Sequence, residues 1–409
     1  MVRVRPITVG SLAGLLIGLV ACGPSSDTKP RDRAAAVRPS ILLVTLDTTR
    51  ADAVGPDAVG IETPAFNALV ARGRRFRQAW ATVPETLPSH ASMLTGLYPG
   101  GHALRENGRV LGASTPLLAE HLQRAGYRTA AFVSSFALAR RFGLSRGFAR
   151  YDDRTSGLLA ERSARETTDA ALSLLAEPAS APTFVWAHYY DAHAPYAPPE
   201  PFASRYRSKP YLGEVAAVDE QLGRLVQAFE AGTPGPHAII VVGDHGEGLG
   251  DHGEAQHGTL VYGATMHVPL VVVAPGLEPG STETPVSTRR VYHTVLDLAG
   301  LDAAGSLRQP TPDIVLGEGM KPFLQYGWQP QVMSVDGHHQ AILTGDLEAY
   351  DLSADPAESH DLGRGYAPPA AVKKALYEYP VPGPDAARTP AALDEEAKRK
   401  LASLGYVSS

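Results

Sequence analysis

The stretch SILLVTLD, residues 40–47, is a continuous run of β-branched and apolar residues that ends in an acid. Such a run is typical of a strand that is buried on both faces of a parallel sheet. Similar apolar runs recur at residues 129–135, 183–190, 237–244 and 268–274. Helical patterns lie between them, and this alternation predicts an α/β fold with a large, mainly parallel sheet flanked by helices.

The clearest helical pattern spans residues 213–230 and places its apolar side chains on one face. The residues of that face are Val215, Val218, Leu222, Leu225 and Phe229. The C-terminal part differs, because residues 340–362 indicate short antiparallel strands and residues 393–406 a closing helix. We therefore expect a large domain over residues 39–315 and a small α+β C-terminal subdomain over residues 316–409.

The N-terminus has the composition of a bacterial export signal. Residues 1–22 combine the basic Arg3 and Arg5 with an apolar run and end in LVAC, which resembles a lipobox. The apolar run is short for a membrane span, so we predict a lipoprotein signal peptide, cleaved before a lipidated Cys22. An uncleaved N-terminal anchor is the alternative. Residues 23–38 predict a flexible tether with a reach of roughly 20 Å.

Composition limits the classes of function. The 409 residues are 44% apolar, which is ample for a large core. Loss of Arg3 and Arg5 changes the net charge from −6 to −8, and Lys and Arg form no long block, which argues against a nucleic-acid partner. Cys22 is the only cysteine, so the mature domain has no disulfide and no cysteine-derived catalytic group. We expect an exported protein of the bacterial cell envelope, anchored by lipid to the outer membrane or the periplasmic face.

Two of the predicted strands end in metal-binding residue types. Asp47 closes the first strand, and Asp244 with His245 closes the strand at 237–244. Ligands of open parallel sheets bind at the carboxyl ends of strands. An isolated acid there often only caps the next turn, but two such ends favour a divalent metal site, because carboxylate and imidazole are its usual ligands.

A candidate nucleophile lies in TLPSHASMLTGLYP, residues 86–99. Pro84 and Pro88 stiffen the loop around Thr86, and the residues that follow can begin a helix. A hydroxyl at a helix N-terminus faces backbone N–H groups, which suits an anionic phosphate or sulfate. Ser and Thr near a helix start are mostly caps, so the motif alone is weak evidence.

Histidines in two loops strengthen the case for a site. The loops are HYYDAHAPY, residues 188–196, and DHGEGLGDHGEAQHG, residues 244–258, and both follow predicted strands. Tyr189 and Tyr190 in the first loop fit ordinary packing. A lone histidine is more often structural than catalytic, whereas so many in two such loops favour a site. Besides Asp244 and His245, the acid and imidazole residues of interest are His188, Asp191, His193, His252 and His257.

In order and spacing these motifs resemble those of the sulfatase family, within the alkaline phosphatase superfamily, along nearly all of residues 38–406. The matching motifs are LLVTLDTTRADAVG, TLPSHASMLTGLYP, HYYDAHAPY, DHGEGLGDHGEAQHG and EAYDLSADPAESHDL. The resemblance implies an ester hydrolase with a large α/β domain and a smaller antiparallel C-terminal domain. It implies that Asp47, Thr86, Asp244 and His245 are metal ligands, with Thr86 also the nucleophile. It implies that His193 and His257 are catalytic groups at the leaving group or substrate, and that Asn107 and His102 lie in a loop near the pocket. We predict that His90, Asn107 and Asp191 bind the substrate.

The chain departs from the sulfatase pattern at three positions. Thr86 replaces the cysteine that becomes formylglycine, Thr48 replaces a second metal-binding Asp, and His90 replaces an arginine. A formylglycine hydrate has two hydroxyls and can expel sulfate by elimination, but threonine has one. Its covalent ester can break only when water attacks sulfur or phosphorus, which phosphoryl enzymes do routinely.

We therefore predict a metal-dependent hydrolase of sulfate or phosphate/phosphonate esters that favours phosphorus. One divalent ion is expected, and a threonine at position 48 favours Mn or Zn over Ca. A second ion could bind Asp191, His193 and His257. The substrate would be a small-molecule, glycan or lipid anionic ester. The alternatives are a lipid-anchored anion-binding protein without turnover and a phosphoryl head-group transferase.

Overall fold

The computed structural model describes residues 38–155, 160–302, 304–309, 311–383 and 393–406. The predicted signal peptide, with Cys22 and most of the tether, lies outside the described residues. Within the described ranges, no helix is both long and apolar enough to cross a bilayer.

The strands form one large sheet and two small ones. The large sheet has eight strands in the order β10-β2-β9-β7-β1-β6-β4-β5, and a four-stranded sheet has the order β12-β13-β14-β15. In chain order the strands are β1 Ser40–Leu46, β2 Arg74–Phe76, β3 Ala79–Trp80, β4 Arg128–Val133, β5 Arg150–Asp152, β6 Thr183–Tyr189, β7 His237–Gly243, β8 His267–Val268, β9 Leu270–Val273, β10 Gly280–Thr282, β11 Val286–Ser287, β12 Val315–Gly319, β13 Gln331–Asp336, β14 His339–Thr344 and β15 Asp346–Asp351.

Helices cover both faces of the large sheet. One face packs against α1, α5 and α7, and the other against α2, α4, α9 and α12. The helices are α1 Pro64–Arg72, α2 Thr86–Thr95, α3 Pro99–His102, α4 Leu118–Arg124, α5 Ala164–Leu175, α6 Phe202–Arg205, α7 Pro210–Gly232, α8 Gly263–Met266, α9 Arg290–Leu298, α10 Lys321–Tyr326, α11 Ala370–Tyr377 and α12 Glu395–Ser403, with 3-10 turns at Ala51–Ala53, Phe136–Leu138, Arg140–Phe142, Asp251–Gly253 and Gly363–Gly365. The prediction of an α/β fold with a flanked sheet is therefore confirmed.

The five predicted strands are present, and four of them are parallel. β1 pairs in parallel with β6 and β7, and β4 with β6. The fifth run is divided at Pro269, so that β8 joins a small sheet and β9 joins the large sheet antiparallel to β7. A parallel partner needs a long crossover, usually helical. Between β7 and β9 the chain forms loops and the four-residue α8, and it returns in the opposite direction.

The C-terminal part contains the expected antiparallel sheet. β12 begins at Val315, and β13, β14 and β15 follow it as a meander with its own small apolar cluster. The predicted closing helix is α12, but its apolar side chains join the core of the large sheet. The chain thus returns from the small sheet to the main domain. This return places the end of α12 beside the site described next.

Candidate metal centre and nucleophile

The two acid-ended strands lie side by side in the sheet. β1 and β7 are parallel neighbours, with Leu46 paired with Gly243, so Asp47 and Asp244 leave the sheet at the same edge. The amide of Asp244 donates to the carbonyl of Leu46 over 3.1 Å, which holds the two strand ends together. His245 follows directly, and all three of these side chains are buried. Their ligand atoms lie within 4.8 Å of one another.

At the start of α2, the Thr86 hydroxyl lies beside His245 and Asp47. Thr86 is the first residue of the helix, its exposure is 0%, and its Oγ1 lies 3.5 Å from His245 Nε2. Asn107 secures the helix start, because its Oδ1 accepts a hydrogen bond of 2.8 Å from the amide of Leu87. Its Nδ2 is buried and has no hydrogen-bond partner in the described part of the chain. Asn107 thus contacts the residue that follows the candidate nucleophile.

Three histidines near Thr86 have a hydrogen-bond partner at Nδ1, and backbone carbonyls fix the tautomers of two of them. The Nδ1 of His245 lies 2.9 Å from the Gly246 carbonyl and that of His193 lies 2.7 Å from the Ala194 carbonyl. The Nδ1 of His257 lies 3.0 Å from Glu247 Oε1. Carbonyl oxygens only accept, so the Nδ1 of His245 and that of His193 carry the hydrogen and, in the neutral ring, each Nε2 keeps a lone pair.

Burial keeps these imidazoles neutral. Burial lowers the pKa of His193 to about 4, with His257 contributing. Burial lowers the pKa of both His245 and His257 to about 3. At neutral pH each ring therefore offers one unprotonated nitrogen. Such a nitrogen can bind a metal or accept a proton.

Two further histidines form a support beneath the site. His188 accepts from the Ser134 amide at Nδ1, so its Nε2–H donates to Asp47 Oδ2 over 3.0 Å. His90 lies between the Thr86 carbonyl, 2.7 Å from Nδ1, and the Thr45 hydroxyl, 2.9 Å from Nε2. Both ring nitrogens of His90 are thus engaged below α2. Neither ring nitrogen of His90 is therefore free for the predicted contact with substrate.

Asp47, Asp244 and His245 fit a divalent cation better than the second group of possible ligands, His90, His188 and Asp244. In that second group the nitrogens of both histidines already have partners. In the first group, Asp47 Oδ1 and Asp244 Oδ2 are buried without a hydrogen-bond partner among the described residues. They lie 3.8 Å and 3.6 Å from His245 Nε2. Ligand atoms about 2.1 Å from a tetrahedral ion are roughly 3.4 Å apart, so the spacing suits an ion.

The electrostatics also call for a positive charge at this point. Burial raises the pKa of Asp47, although His245 acts against it. Burial raises the pKa of Asp244 well above its usual range, and the charge of Asp47 adds to the effect. Two carboxylates cannot both ionise cheaply in a buried site without a cation between them. Asp47, Asp244 and His245 are therefore a candidate metal-binding group.

Thr48 occupies a strained position beside the metal-binding group. Its φ is 47°, a left-handed conformation that β-branched residues rarely adopt. The Thr48 carbonyl accepts from the hydroxyl of Tyr211 over 2.9 Å, while its own Oγ1 is buried and has no partner in the described ranges. Strained backbone of this kind tends to occur at functional sites, where surrounding contacts enforce it.

Some residues expected at the site are held elsewhere. Both carboxylate oxygens of Asp191 accept from the amide of Ala164 at the start of α5. His252 stacks on Tyr262 with a centroid distance of 3.8 Å. His102 bonds the hydroxyl of Ser92 over 3.0 Å. These contacts are structural ones.

The possible second metal site is not assembled in the described structure. Asp191, His193 and His257 do not form one of its groups of close ligand atoms. The carboxylate required for such a site is engaged at α5 instead. His193 and His257 do lie together, with rings in an edge-to-face contact at 4.9 Å.

Three features of the site were not predicted from the sequence. Tyr406, which follows α12, places its hydroxyl 2.9 Å from Thr86 Oγ1 and 3.0 Å from the hydroxyl of Tyr190. Glu247 orients His257 and also accepts from Tyr196 over 3.0 Å, and burial raises its pKa to about 7. Nothing in the periodicity of the closing helix marks Tyr406, whereas Glu247 lay inside a recognised histidine motif.

The third feature is a buried acid that adjoins the nucleophile. Glu85 precedes Thr86 at the N-cap of α2, and burial raises its pKa to about 8. Lys321, the first residue of α10, lies 3.9 Å from Glu85 Oε1. The C-terminal part of the chain thus contributes a cation as well as Tyr406 to the surroundings of Thr86. Both contacts link residues more than 200 positions apart.

Comparison with known proteins settles the family. The family model described as Sulfatase matches residues 39–301. The chain belongs to the sulfatase family. This membership confirms the prediction of an ester hydrolase of the sulfatase/alkaline phosphatase superfamily. The match spans the strand ends that carry Asp47 and Asp244, and also Thr86.

Individual sulfatase-family relatives are distant but cover most of the chain. An uncharacterized sulfatase of Escherichia coli is 23% identical, with 80% of this chain and 83% of the relative covered. A choline-sulfatase of Rhizobium meliloti is 22% identical, with 80% and 82% covered. Among solved structures, a phosphonate monoester hydrolase of Agrobacterium radiobacter is similar with a TM-score of 0.68 and 20% identity, with 83% of this chain and 94% of that chain covered. This last likeness concerns the fold.

Proposed function

We propose that this chain is a metal-dependent hydrolase of anionic esters that uses Thr86 as its nucleophile and prefers phosphate or phosphonate esters to sulfate esters. The observation that carries the proposal is that the Thr86 hydroxyl lies 3.5 Å from His245 Nε2, a ligand atom grouped with those of Asp47 and Asp244. The names of similar proteins, a choline-sulfatase and a phosphonate monoester hydrolase, support an anionic ester as substrate.

One divalent ion, Mn, Zn or Ca, would be held by four atoms: Asp47 Oδ1, Asp244 Oδ2, His245 Nε2 and Thr86 Oγ1. When bound, it would lower the pKa of the Thr86 hydroxyl and offset negative charge on the group transferred. The mixed oxygen and nitrogen ligands, with a threonine at position 48, favour Mn or Zn over Ca.

The residues of the chain would carry out two displacements. In the first, His193 Nε2 accepts the Thr86 proton, Oγ1 bonds to phosphorus, the bond to the leaving alcohol breaks, and the imidazolium returns the proton to that alcohol. In the second, His193 accepts a proton from water, the water oxygen bonds to phosphorus, and the bond to Oγ1 breaks. The proton then returns to Oγ1. The lone pair on the buried, neutral His193 Nε2 supports this role; His257 is the other candidate.

The single hydroxyl of threonine supports phosphorus as the reacting centre. A threonine ester cannot be released by the elimination that a formylglycine hydrate permits, and water must attack the transferred group. Attack of water on a phosphoryl group is a common second step in enzymes with a covalent intermediate. Small-molecule, glycan and lipid esters all carry the required anionic group.

A test offers the metal-loaded mature domain an aryl phosphate monoester, an aryl phosphate diester, an aryl phosphonate monoester and an aryl sulfate. We expect turnover of at least one phosphorus ester, its loss in Thr86→Ala and partial retention in Thr86→Ser. Thr95→Ala is the matched control, because Thr95 is buried in the same helix and its hydroxyl bonds the Ala91 carbonyl and the Leu97 amide. Thr86→Ala with wild-type turnover, or a preference for the sulfate ester, would contradict the proposal.

We further propose that Cys22 is lipidated and anchors an exported protein whose catalytic part spans residues 39–315, with residues 316–409 as a subdomain. The basic residues and the LVAC sequence before Cys22 support this. Labelling of the full-length protein with radioactive palmitate in a bacterial host is the test. We expect label in the wild type and none in Cys22→Ala, and equal labelling of both would refute the anchor.

A further inference from the structure

We propose that Tyr406 is a catalytic residue of the Thr86 site, whose phenol donates a hydrogen bond to Thr86 Oγ1 and stabilises the negative charge that this oxygen carries as the covalent ester forms and breaks. The inference rests on the proposed function, because it assumes that Oγ1 is the reacting atom. Its basis is the contact of 2.9 Å between the two hydroxyl oxygens.

The direction of this hydrogen bond follows from the chemistry of attack. Once Thr86 has given up its proton, Oγ1 has no hydrogen left and can only accept, so the phenol of Tyr406, whose oxygen lies 2.9 Å away, donates to it. The Tyr406 oxygen accepts in turn from Tyr190, whose hydroxyl oxygen is 3.0 Å away. A chain of donors thus ends at the nucleophilic oxygen.

Tyr406 is held firmly enough to act as a fixed donor. Its exposure is 3%, and it belongs to the main core together with Leu401 and Leu404. Its ring meets the ring of His193 edge to face at 5.6 Å, and His193 stacks on Tyr190 at 4.4 Å. These contacts leave the phenol little freedom to turn away. A donor positioned before the reaction needs no reorganisation when charge develops, which is the condition for strong electrostatic stabilisation.

The charge on Oγ1 is greatest at two moments. It develops when the proton leaves Thr86 before attack, and it develops again when Oγ1 is the leaving atom of the second displacement. The second step depends most on Tyr406, because no proton reaches Oγ1 until its bond to phosphorus has begun to break. Loss of the phenol should therefore slow release of the covalent ester, and the ester should accumulate on Thr86.

The experiment compares wild type, Tyr406→Phe and Tyr127→Phe, all metal-loaded, with the best aryl phosphorus ester in rapid-mixing and rapid-quench measurements. Tyr127 is the matched control, because its phenol is also buried in the main core and bonds the Pro39 carbonyl over 3.1 Å. We expect Tyr406→Phe to lower kcat by about 10²-fold, the size of effect seen on removing one preorganised donor. The KM for the ester should fall with kcat or stay the same, and ester-bound enzyme should accumulate. Tyr127→Phe should change kcat less than threefold.

Three outcomes would overturn the inference. The first is a kcat for Tyr406→Phe within threefold of wild type, and the second is a fall in kcat without accumulation of the ester. The third is a rise in kcat/KM, which would mean that Tyr406 blocks access of the substrate to Thr86. Thermal melting and metal content of each variant separate a folding defect from a catalytic one. If Tyr406→Phe fails to fold, Tyr190→Phe is the substitute, because it removes the hydroxyl that donates to Tyr406. It should give a smaller loss of kcat with the same accumulation of the covalent ester. Unchanged kinetics in Tyr190→Phe would also overturn the inference. Turnover that persists in Thr86→Ala refutes the proposed function itself, whereas an inactive Thr86→Ala with a fully active Tyr406→Phe refutes only this inference.

Discussion

The Nε2–H of His188 donates to Asp47 Oδ2 over 3.0 Å, and the other carboxylate oxygen of Asp47 faces His245 Nε2 at 3.8 Å. The first contact restrains the carboxylate through Oδ2, while Oδ1 is buried without a hydrogen-bond partner in the described part of the chain. A hydrogen bond behind a ligating carboxylate holds it in the orientation that the metal requires. His188 is therefore a support for the candidate metal centre.

Replacing His188 should weaken metal binding while preserving the fold. In His188→Phe the ring remains but the donor is lost, and we expect the metal dissociation constant to rise about 10- to 100-fold, as for other supporting residues. Competition with a coloured chelator measures this constant. His252→Phe is the matched control, because His252 lies in a recognised motif but stacks on Tyr262 away from the cluster. Equal metal affinity in wild type and His188→Phe would contradict the role of His188 in orienting Asp47.

Metal removal should destabilise the wild type and leave Asp244→Asn unaffected. A ligand that binds only the folded state stabilises it by about 2.7 kcal/mol at a hundred times its dissociation constant. We therefore expect chelation to lower the Tm of the wild type by several degrees and to abolish turnover. Asp244→Asn should show no such change in Tm, because it lacks one ligand atom. Scanning calorimetry with and without added metal makes the comparison, and a shift of equal size in both proteins would place the ion elsewhere.

Asp219 of α7 caps a different helix, α1. Its two carboxylate oxygens accept from the amides of Ala65 and Phe66 over 2.9 Å and 2.8 Å, while the N-cap residue Thr63 makes no side-chain capping bond. We expect Asp219→Ala to lower the free energy of unfolding by about 2 kcal/mol, since two amides lose their acceptor.

Urea denaturation measures the loss in Asp219→Ala. The control is Asp169→Ala, which removes an exposed partner of Arg224 and should cost less than about 0.5 kcal/mol. Equal losses in the two variants would show that the bonds from Asp219 to α1 stabilise the fold no more than an exposed ion pair does.

Glu214 should make stability depend on pH. Burial raises its pKa from 4.5 to about 7, while the carboxyl still accepts from the Ala197 amide over 2.7 Å. The folded state then holds a proton that the unfolded state has released, so this residue reduces the free energy of unfolding as the pH rises from 4.5 toward 7.

Glu214→Gln keeps an acceptor for Ala197 and removes the titration. Its free energy of unfolding, relative to wild type, should be higher at pH 8 than at pH 5. Urea denaturation at these two pH values tests this, with Glu220→Gln, which is exposed on the same helix, as the control. A difference from wild type that is the same at both pH values would contradict the assignment.

The sequence was informative where chemistry and periodicity coincide. β1 and β7 were recognisable because apolar runs end in Asp47 and Asp244, and parallel strands deliver such ends to one edge. The buried face of α7 was also recognised, and its five predicted apolar residues are buried. Local patterns thus predict the sheet and the position of its acidic edge.

The sequence could not assign partners for polar side chains. Asp191 lies three residues after His188 in a histidine motif, yet its carboxylate caps α5. His90 follows Thr86 on the helix, yet both its nitrogens point to acceptors and donors beneath the site. Tyr406 reaches Thr86 across more than 300 positions of chain. Contacts of this length depend on how helices pack on the sheet, and no local pattern encodes them.

Trapping the covalent intermediate tests most directly whether Thr86 is the nucleophile. The metal-loaded wild type is mixed with an aryl phosphonate monoester and quenched in acid within milliseconds, and its peptides are then mapped by mass spectrometry. Attack by Thr86 predicts the mass of one phosphonyl group on the peptide that contains Thr86, and no such adduct in Thr86→Ala. An adduct on another residue, or turnover by Thr86→Ala at the wild-type rate, would contradict it.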